Sequence, residues 1–243
     1  RARAEQQHAV LDGIHLMQTW SGDARLDSLI TSKSAQSHPE IANLIGQHLE
    51  ICPNTQVHWV DETLWESISE LENAPQIMGL LELELTKPNS KTITGDVLIL
   101  DAIQDAGNVG TILRTALATD FKQIVCTTGT AHIWSPKVLR AAMGAHRHLH
   151  FYEGWSVNDV ASNIESSLLA TTMDAKDDLY SIGKILNAPV AWIFGNEGQG
   201  VSGDLLAQAK QIRIPQNPQI ESLNVATAAA VCLYETVRVR TTQ

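Results

Sequence analysis

The apolar positions of this chain change rhythm about a third of the way along. In the first part they alternate between short helical and strand-like patterns. Residues 14–20 read as a helix, 26–31 as a strand, and 39–49 as a helix with Ile41, Leu44 and Ile45 on one face. Residues 56–60 predict a strand and 63–71 a helix. The run 77–85 predicts a strand whose alternating Leu and Glu give it one wet face. The polar, turn-rich stretch TKPNSKTITGD follows and reads as a linker, with a domain boundary near Lys91.

Beyond that point strands and helices alternate more cleanly. VLILDAI, at 97–103, is a continuous apolar run, as a strand covered on both faces requires. Residues 109–120 predict a helix, 123–127 a strand, and SPKVLRAAMGAH a helix with Pro136 in its first turn. Strand patterns recur at 150–152, 168–173, 190–194 and 211–214, and an alanine-rich helix closes the chain from 224 to 239. This alternation predicts an α/β fold built on a parallel sheet. Two domains follow, 1–90 and 91–243.

Three turns then stand out, each at the C-terminal end of an expected strand, the edge at which open parallel sheets bind ligands. In LILDAIQDAGNVGTILRTA the strand ends at Asp101 and Asp105. Gly107, Asn108 and Gly110 precede a helix carrying Arg114, with Asn108 suited to cap it. A cation one turn into such a helix gains nothing from the helix dipole, so Arg114 calls for another reason. In AWIFGNEGQGVS the strand runs into Gly195, Asn196, Glu197, Gly198 and Gly200. That spacing is not the GxGxxG of dinucleotide sites, which argues against a nicotinamide oxidoreductase. In IRIPQNPQIESLNVATAAAVCLYE a proline-restricted loop leads to Ser222, a second candidate cap, and then Leu223 and Asn224.

Composition complicates any nucleic-acid reading. Seventeen basic against 27 acidic residues give a formal charge of −10, whereas phosphate neutralisation supplies most non-specific nucleic-acid affinity. Only a local patch can offset that, and Lys137, Arg140, His146, Arg147, His148 and His150 form one. A solvated face with one or two core histidines accounts for them equally well. No carboxylate accompanies the histidines, so no metal is expected. Three scattered cysteines predict free thiols in a reducing cytoplasm. No apolar run approaches the ~20 residues of a membrane span.

The three turns, in order and spacing, resemble the sequence motifs of the SpoU/TrmH branch of the SPOUT RNA methyltransferases, over about residues 97–234. The N-terminal RARAEQQHAVLDGIHL resembles, more weakly, the ribosomal-protein-L30-like RNA-binding domain of relatives that modify rRNA. In those relatives more residues usually precede this point, which leaves room for a truncated first strand or helix. The resemblance implies a catalytic domain with a deep trefoil knot and a homodimer with the active site completed across the interface. It implies S-adenosylmethionine as methyl donor, contacted by Gly195, Asn196, Gly198, Ile214 and Leu223. Arg114 matches the arginine that engages the target ribose, with Asn108, Glu197, Ser222 and Asn224 around it, and Lys137, Arg140 and Arg147 are the candidates for RNA contact. Ala106 stands where the family usually has proline, and Gln216 where many members have methionine.

The activity so implied is methylation of a ribose 2′-hydroxyl, in 23S rRNA on the strength of the extra N-terminal domain. A tRNA target and a catalytically silent RNA-binding dimer are the alternatives. An arginine stays protonated at any physiological pH and is a costly base. Arg114 is therefore expected to orient and stabilise, with Glu197 or an RNA phosphate accepting the proton.

Overall fold

A computed structural model describes residues 8–69, 76–83 and 92–242. Residues 1–7, Lys91 with the expected boundary, and the ends of the expected helix 63–71 and strand 77–85 lie outside them. The described elements run β1 (His8–Asp12), α1 (Ile14–Trp20), β2 (Leu26–Ser32), α2 (Pro39–Ile51), β3 (Gln56–Val60), α3 (Glu62–Ile68) and β4 (Ile77–Glu82). They continue with β5 (Val97–Asp101), α4 (Ala106–Ala118), β6 (Gln123–Thr127), α5 (Pro136–Ala142), β7 (His150–Trp155), α6 (Val157–Asn163) and β8 (Ser167–Thr171). The last are β9 (Asp177–Asp178), α7 (Gly183–Leu186), β10 (Val190–Gly195), α8 (Gly203–Leu206), β11 (Lys210–Arg213) and α9 (Val225–Thr241). The chain divides into two compact units, Arg1–Leu85 with Trp134–Arg147, and Thr86–Ile133 with His148–Gln243.

In the first unit the sheet order is β1-β4-β2-β3, with β4 antiparallel to both neighbours and β3 parallel to β2. The expected wet face of β4 shows where Leu and Glu alternate, with Leu81 and Leu83 buried and Glu82 exposed, but it does not extend to the start of the strand. Ile77 and Leu81 join the core of Leu11, Met17, Trp20 and Ile41, while Met78 packs with Val10 and Trp65 on the opposite side. Covered on both faces at Ile77–Leu80, the strand carries no alternation there, and Glu82 is its one exposed residue. A Cβ at Gly79 would lie 2.5 Å from Leu26 Cδ1 and 2.8 Å from Met17 Sδ, so both side-chain ends would have to shift to admit one.

Helix α5, later in sequence than Lys91, belongs to this first unit: its Leu139 is part of the same core. Its first turn holds Pro136, as the sequence indicates. The chain leaves it through Gly144, whose φ of +82° and 2.7 Å approach to Thr19 Cβ admit no side chain. Arg147 then donates to the Thr19 carbonyl at 3.1 Å and lies 3.6 Å from Asp23. His146 is buried against Trp134, with ring centroids 5.0 Å apart, so it is a core histidine.

His48, also buried, accepts from the Gly22 N–H at Nδ1 and shares a 2.9 Å hydrogen bond with Thr55 through Nε2. This arrangement suits a neutral ring, and burial holds its pKa below 6.5. A base depressed in the folded state gives its full stability above the unfolded pKa and loses it as pH falls. The melting midpoint is expected to drop between pH 7 and pH 5, and His48→Gln to flatten that part of the profile. Parallel profiles for the two proteins in calorimetry would rule His48 out as the cause.

The second unit is one sheet of order β7-β6-β5-β10-β8-β11-β9, parallel at every described pairing. Alternate residues of its central strands serve two cores. Val97 and Ile99 of β5 pack with Ala191 and Ile193 of β10, Trp155 and Leu205. On β10 the intervening Trp192 donates from Nε1 to Thr236 of α9 at 3.0 Å. All five residues of β5 are buried, which explains its unbroken apolar run. Arg240, near the end of α9, is tied to both Asp96 oxygens at 2.5 and 2.9 Å and to the Leu186 and Ala188 carbonyls. No helix among the described residues is long and apolar enough to cross a membrane.

Candidate active site

The sheet order places β5 beside β10 although they are far apart in sequence, and Gly195 is paired with Asp101 where both strands stop. A reversal of strand order at that point opens a crevice at the C-terminal edge. The first turn leaves it from Asp101. Asp105, not Asn108, caps α4, accepting from the Asn108 N–H at 2.8 Å. The helix thus starts at Ala106 and not at the expected Val109. That first helical position is where proline is favoured, and alanine satisfies it as well.

Freed from capping, the Asn108 side chain reaches across the site. Its amide nitrogen donates to Glu197 Oε1 at 2.9 Å, and its oxygen accepts from Asn224 Nδ2 at 3.0 Å. Asn224, not Ser222, caps the last helix, receiving the N–H groups of Ala226 and Thr227 on its own oxygen. Glu197 also accepts from the backbone N–H groups of Gln104 and Asp105, at 3.1 and 3.2 Å. Asn108, Glu197 and Asn224 therefore join the three turns in one hydrogen-bonded chain. Partial burial pushes the Glu197 carboxyl up. The Asn108 amide and the backbone N–H groups of Glu197, Gln104 and Asp105 outweigh it and hold its pKa below 4.5. An exposed carboxylate so engaged is a latch and a weak base. Glu197→Gln turns one acceptor oxygen into a donor facing other donors, and is expected to cost about 1 kcal/mol in denaturant unfolding. An unchanged midpoint would show that the latch carries no stability.

Beside the latch lies a cavity of about 480 Å³, within the range of small-molecule sites. All five expected cofactor residues, Gly195, Asn196, Gly198, Ile214 and Leu223, line it, as do Glu197, Ser222 and Asn224. Sequence reasoning missed the far wall: Thr171 ends β8, Thr172 and Met173 follow it, and Gln216 and Glu221 come from the proline-bounded loop. The same edge rule applied to β8, the other neighbour of β10, would have found the first three. Gln216 donates to Met173 Sδ at 3.2 Å and to the Ile220 carbonyl at 3.4 Å, closing its own loop without a glycine.

Two groups of expected residues fall elsewhere. Arg114 is nine residues into α4, two turns and not one, because the helix begins early. It is exposed, has no ion pair or hydrogen bond among the described residues, and does not line the cavity of its own chain. Lys137, Arg140 and Arg147 belong to the first unit. There Lys137 is exposed, Arg140 Nη1 is buried without a hydrogen-bond partner among the described residues, and Arg147 holds Thr19 and Asp23. No group of three potential metal ligands occurs among the described residues.

The SpoU rRNA methylase family model matches residues 96–234, the span that builds this cavity and latch. The chain belongs to the SpoU rRNA methylase family. It is 30% identical to an uncharacterized tRNA/rRNA methyltransferase of Synechocystis, over 98% of this chain and 86% of that one. It is 33% identical to the 23S rRNA guanosine 2′-O-methyltransferase RlmP of Bacillus subtilis, over 74% of this chain and 71% of RlmP. Among solved structures, the SpoU methyltransferase AviRb of Streptomyces viridochromogenes in complex with its cofactor AdoMet superposes with a TM-score of 0.82. That match has 20% identity and covers 98% of this chain and 92% of AviRb. The SpoU-family α/β fold with its parallel sheet is thereby matched across nearly the whole chain.

Proposed function

We propose that this chain transfers a methyl group from S-adenosylmethionine to a ribose 2′-hydroxyl of 23S rRNA. The observation that carries the reading is the meeting of three separate turns, through Asn108, Glu197 and Asn224, beside a cavity of suitable volume. The cavity suits the donor in its chemistry as well. Gly195 leaves no side chain between β10 and the space, and Ile214 and Leu223 offer apolar wall beside the polar Ser222, Asn196 and Glu221. S-Adenosylmethionine supplies an electrophilic methyl group, so the residues of the chain have only to present and activate the hydroxyl.

Positioning accounts for several kcal/mol of such a barrier. Arg114 orients the ribose and stabilises the oxyanion as it forms. Glu197, engaged by its latch partners, leaves an RNA phosphate oxygen to take the proton, directly or through water. Because Arg114 lies outside the cavity of its own chain, it serves the cavity of a second copy in a homodimer. Residues 91–243, apart from the segment 134–147 that packs into the first unit, form the catalytic domain, with the trefoil knot threaded between the turns at 195–202 and 214–224. Residues 1–90 form the L30-like RNA-binding domain. Exposed Lys137 offers a phosphate contact from the first unit, and the reaction, needing no metal, takes place in the cytoplasm.

Mapping 2′-O-methylated positions in total RNA from cells lacking this protein tests the proposal. The expected result is loss of one mark in 23S rRNA. Loss confined to tRNA would overturn the substrate assignment, and an unchanged map the activity.

A further inference from the structure

Asp101 carries a buried carboxylate at the end of β5, only 5% exposed, with no cation at ion-pair distance among the described residues. Burying an unpaired charge is costly unless donors satisfy it. Here the donors are unusual in where they come from. Oδ1 accepts from the Thr127 hydroxyl at 2.9 Å, at the end of the neighbouring strand β6. Oδ2 accepts from the backbone N–H of Ser202 at 2.7 Å, 101 residues further on.

The Thr127 oxygen is used twice. While it donates to Asp101 it accepts the Ala102 N–H at 3.0 Å. Ala102 has a φ of +54°, a left-handed backbone that an L side chain seldom adopts. Its carbonyl, turned by that conformation, accepts from Asn196 Nδ2 at 2.9 Å. Asn196 in turn folds the loop by accepting the N–H groups of Gly198 and Gln199 on its side-chain oxygen. The loop that lines the cavity is thus gripped at both ends from one point: at Asn196 through Ala102, and at Ser202 through Asp101.

We propose that Asp101 and Thr127 are positioning residues for the cofactor loop, holding residues 196–202 in the shape that admits S-adenosylmethionine. Neither side chain lines the cavity, so both act through the backbone they hold. A carboxylate suits this place because it accepts from two donors, one at the end of β6 and one at the start of α8, while the hydroxyl of Thr127 relays a third.

The inference rests on the reading of the cavity as the S-adenosylmethionine site, and calorimetric titration of the full chain with S-adenosylmethionine separates the two. Thr127→Val keeps shape and removes the hydroxyl. It is expected to weaken binding about 10- to 100-fold, the effect of one to two lost hydrogen bonds. Thr127→Ser restores the hydroxyl and is expected to return affinity to within about threefold of the parent. Ser202→Pro keeps the φ of −58° that a proline ring adopts, but removes the N–H and sets its ring against Asp101 Oδ2, and is expected to weaken binding at least as much as Thr127→Val does. In turnover the loss appears as a raised KM for the cofactor, larger than any fall in kcat. A Thr127→Val protein with a lowered melting midpoint and parental affinity would make the pair merely structural and overturn the proposal. So would a Thr127→Ser protein as weak as the valine variant. A parental protein that gives no heat with S-adenosylmethionine overturns the functional reading itself.

Discussion

Arg114→Ala is expected to lower methyl transfer about 10²- to 10³-fold, the usual loss when one preorganised electrostatic stabiliser is removed. Its affinity for S-adenosylmethionine should stay within about twofold, because no atom of Arg114 lines the cavity. Stability should hardly change either, since the side chain is exposed on α4 and has no partner among the described residues to lose. An arginine that neither pairs with an acid nor complements a helix terminus is held in place by nothing among the described residues. That makes it available to a ligand. Lysine retains the charge but not the forked donor geometry, so Arg114→Lys should recover only part of the rate. Single-turnover rates at saturating cofactor are the measurement, and near-parental turnover in the alanine variant would remove Arg114 from the mechanism.

Much of this site was legible in the sequence because its parts lie where parallel strands end. The continuous apolar run of β5 and the alternation of strands with helices placed Asn108, Glu197 and Asn224 at one edge before any coordinates. The roles within that edge were less legible. Asn108 and Ser222 have the chemistry of caps, yet Asp105 and Asn224 do the capping. Either side chain at each turn can accept a first-turn N–H. What decides is a partner remote in sequence, Glu197 for the Asn108 amide, 89 residues away. Helix α5 fails to declare itself for a related reason. Val138, Leu139 and Ala142 announce a buried face, but periodicity says nothing about which core the face enters, and Leu139 enters that of the first unit. The wall at 171–173 was missed because those residues carry no conspicuous chemistry, only a position beside β10.

Gly195→Ala should abolish S-adenosylmethionine binding, a loss of more than about 100-fold, by geometry alone. A Cβ at this position would stand 2.1 Å from the Gly200 carbonyl carbon and the Val201 nitrogen, and 2.3 Å from the Gly200 oxygen. These are backbone atoms, fixed by the 2.8 Å hydrogen bond from the Gly200 N–H to the Asn196 carbonyl and by the Ser202 tether to Asp101. No rotamer change relieves the overlap, so the loop must move off the strand end, and the cavity it lines goes with it. The strain falls on 196–201 and leaves the pairing of β10 with β5 and β8 along 190–194 untouched. The variant is therefore expected to keep its helix and strand content by circular dichroism while losing the heat of cofactor binding. Combining it with the Arg114 variant then tests whether that arginine acts across the proposed homodimer. Each variant alone is inactive. In a statistical mixture half the dimers pair one of each, and one of their two sites has both an intact cavity and an arginine from the partner. Activity should return to about a quarter of the parental value. A mixture as inactive as its components would place Arg114 at the cavity of its own chain, which requires α4 to move from where it now lies.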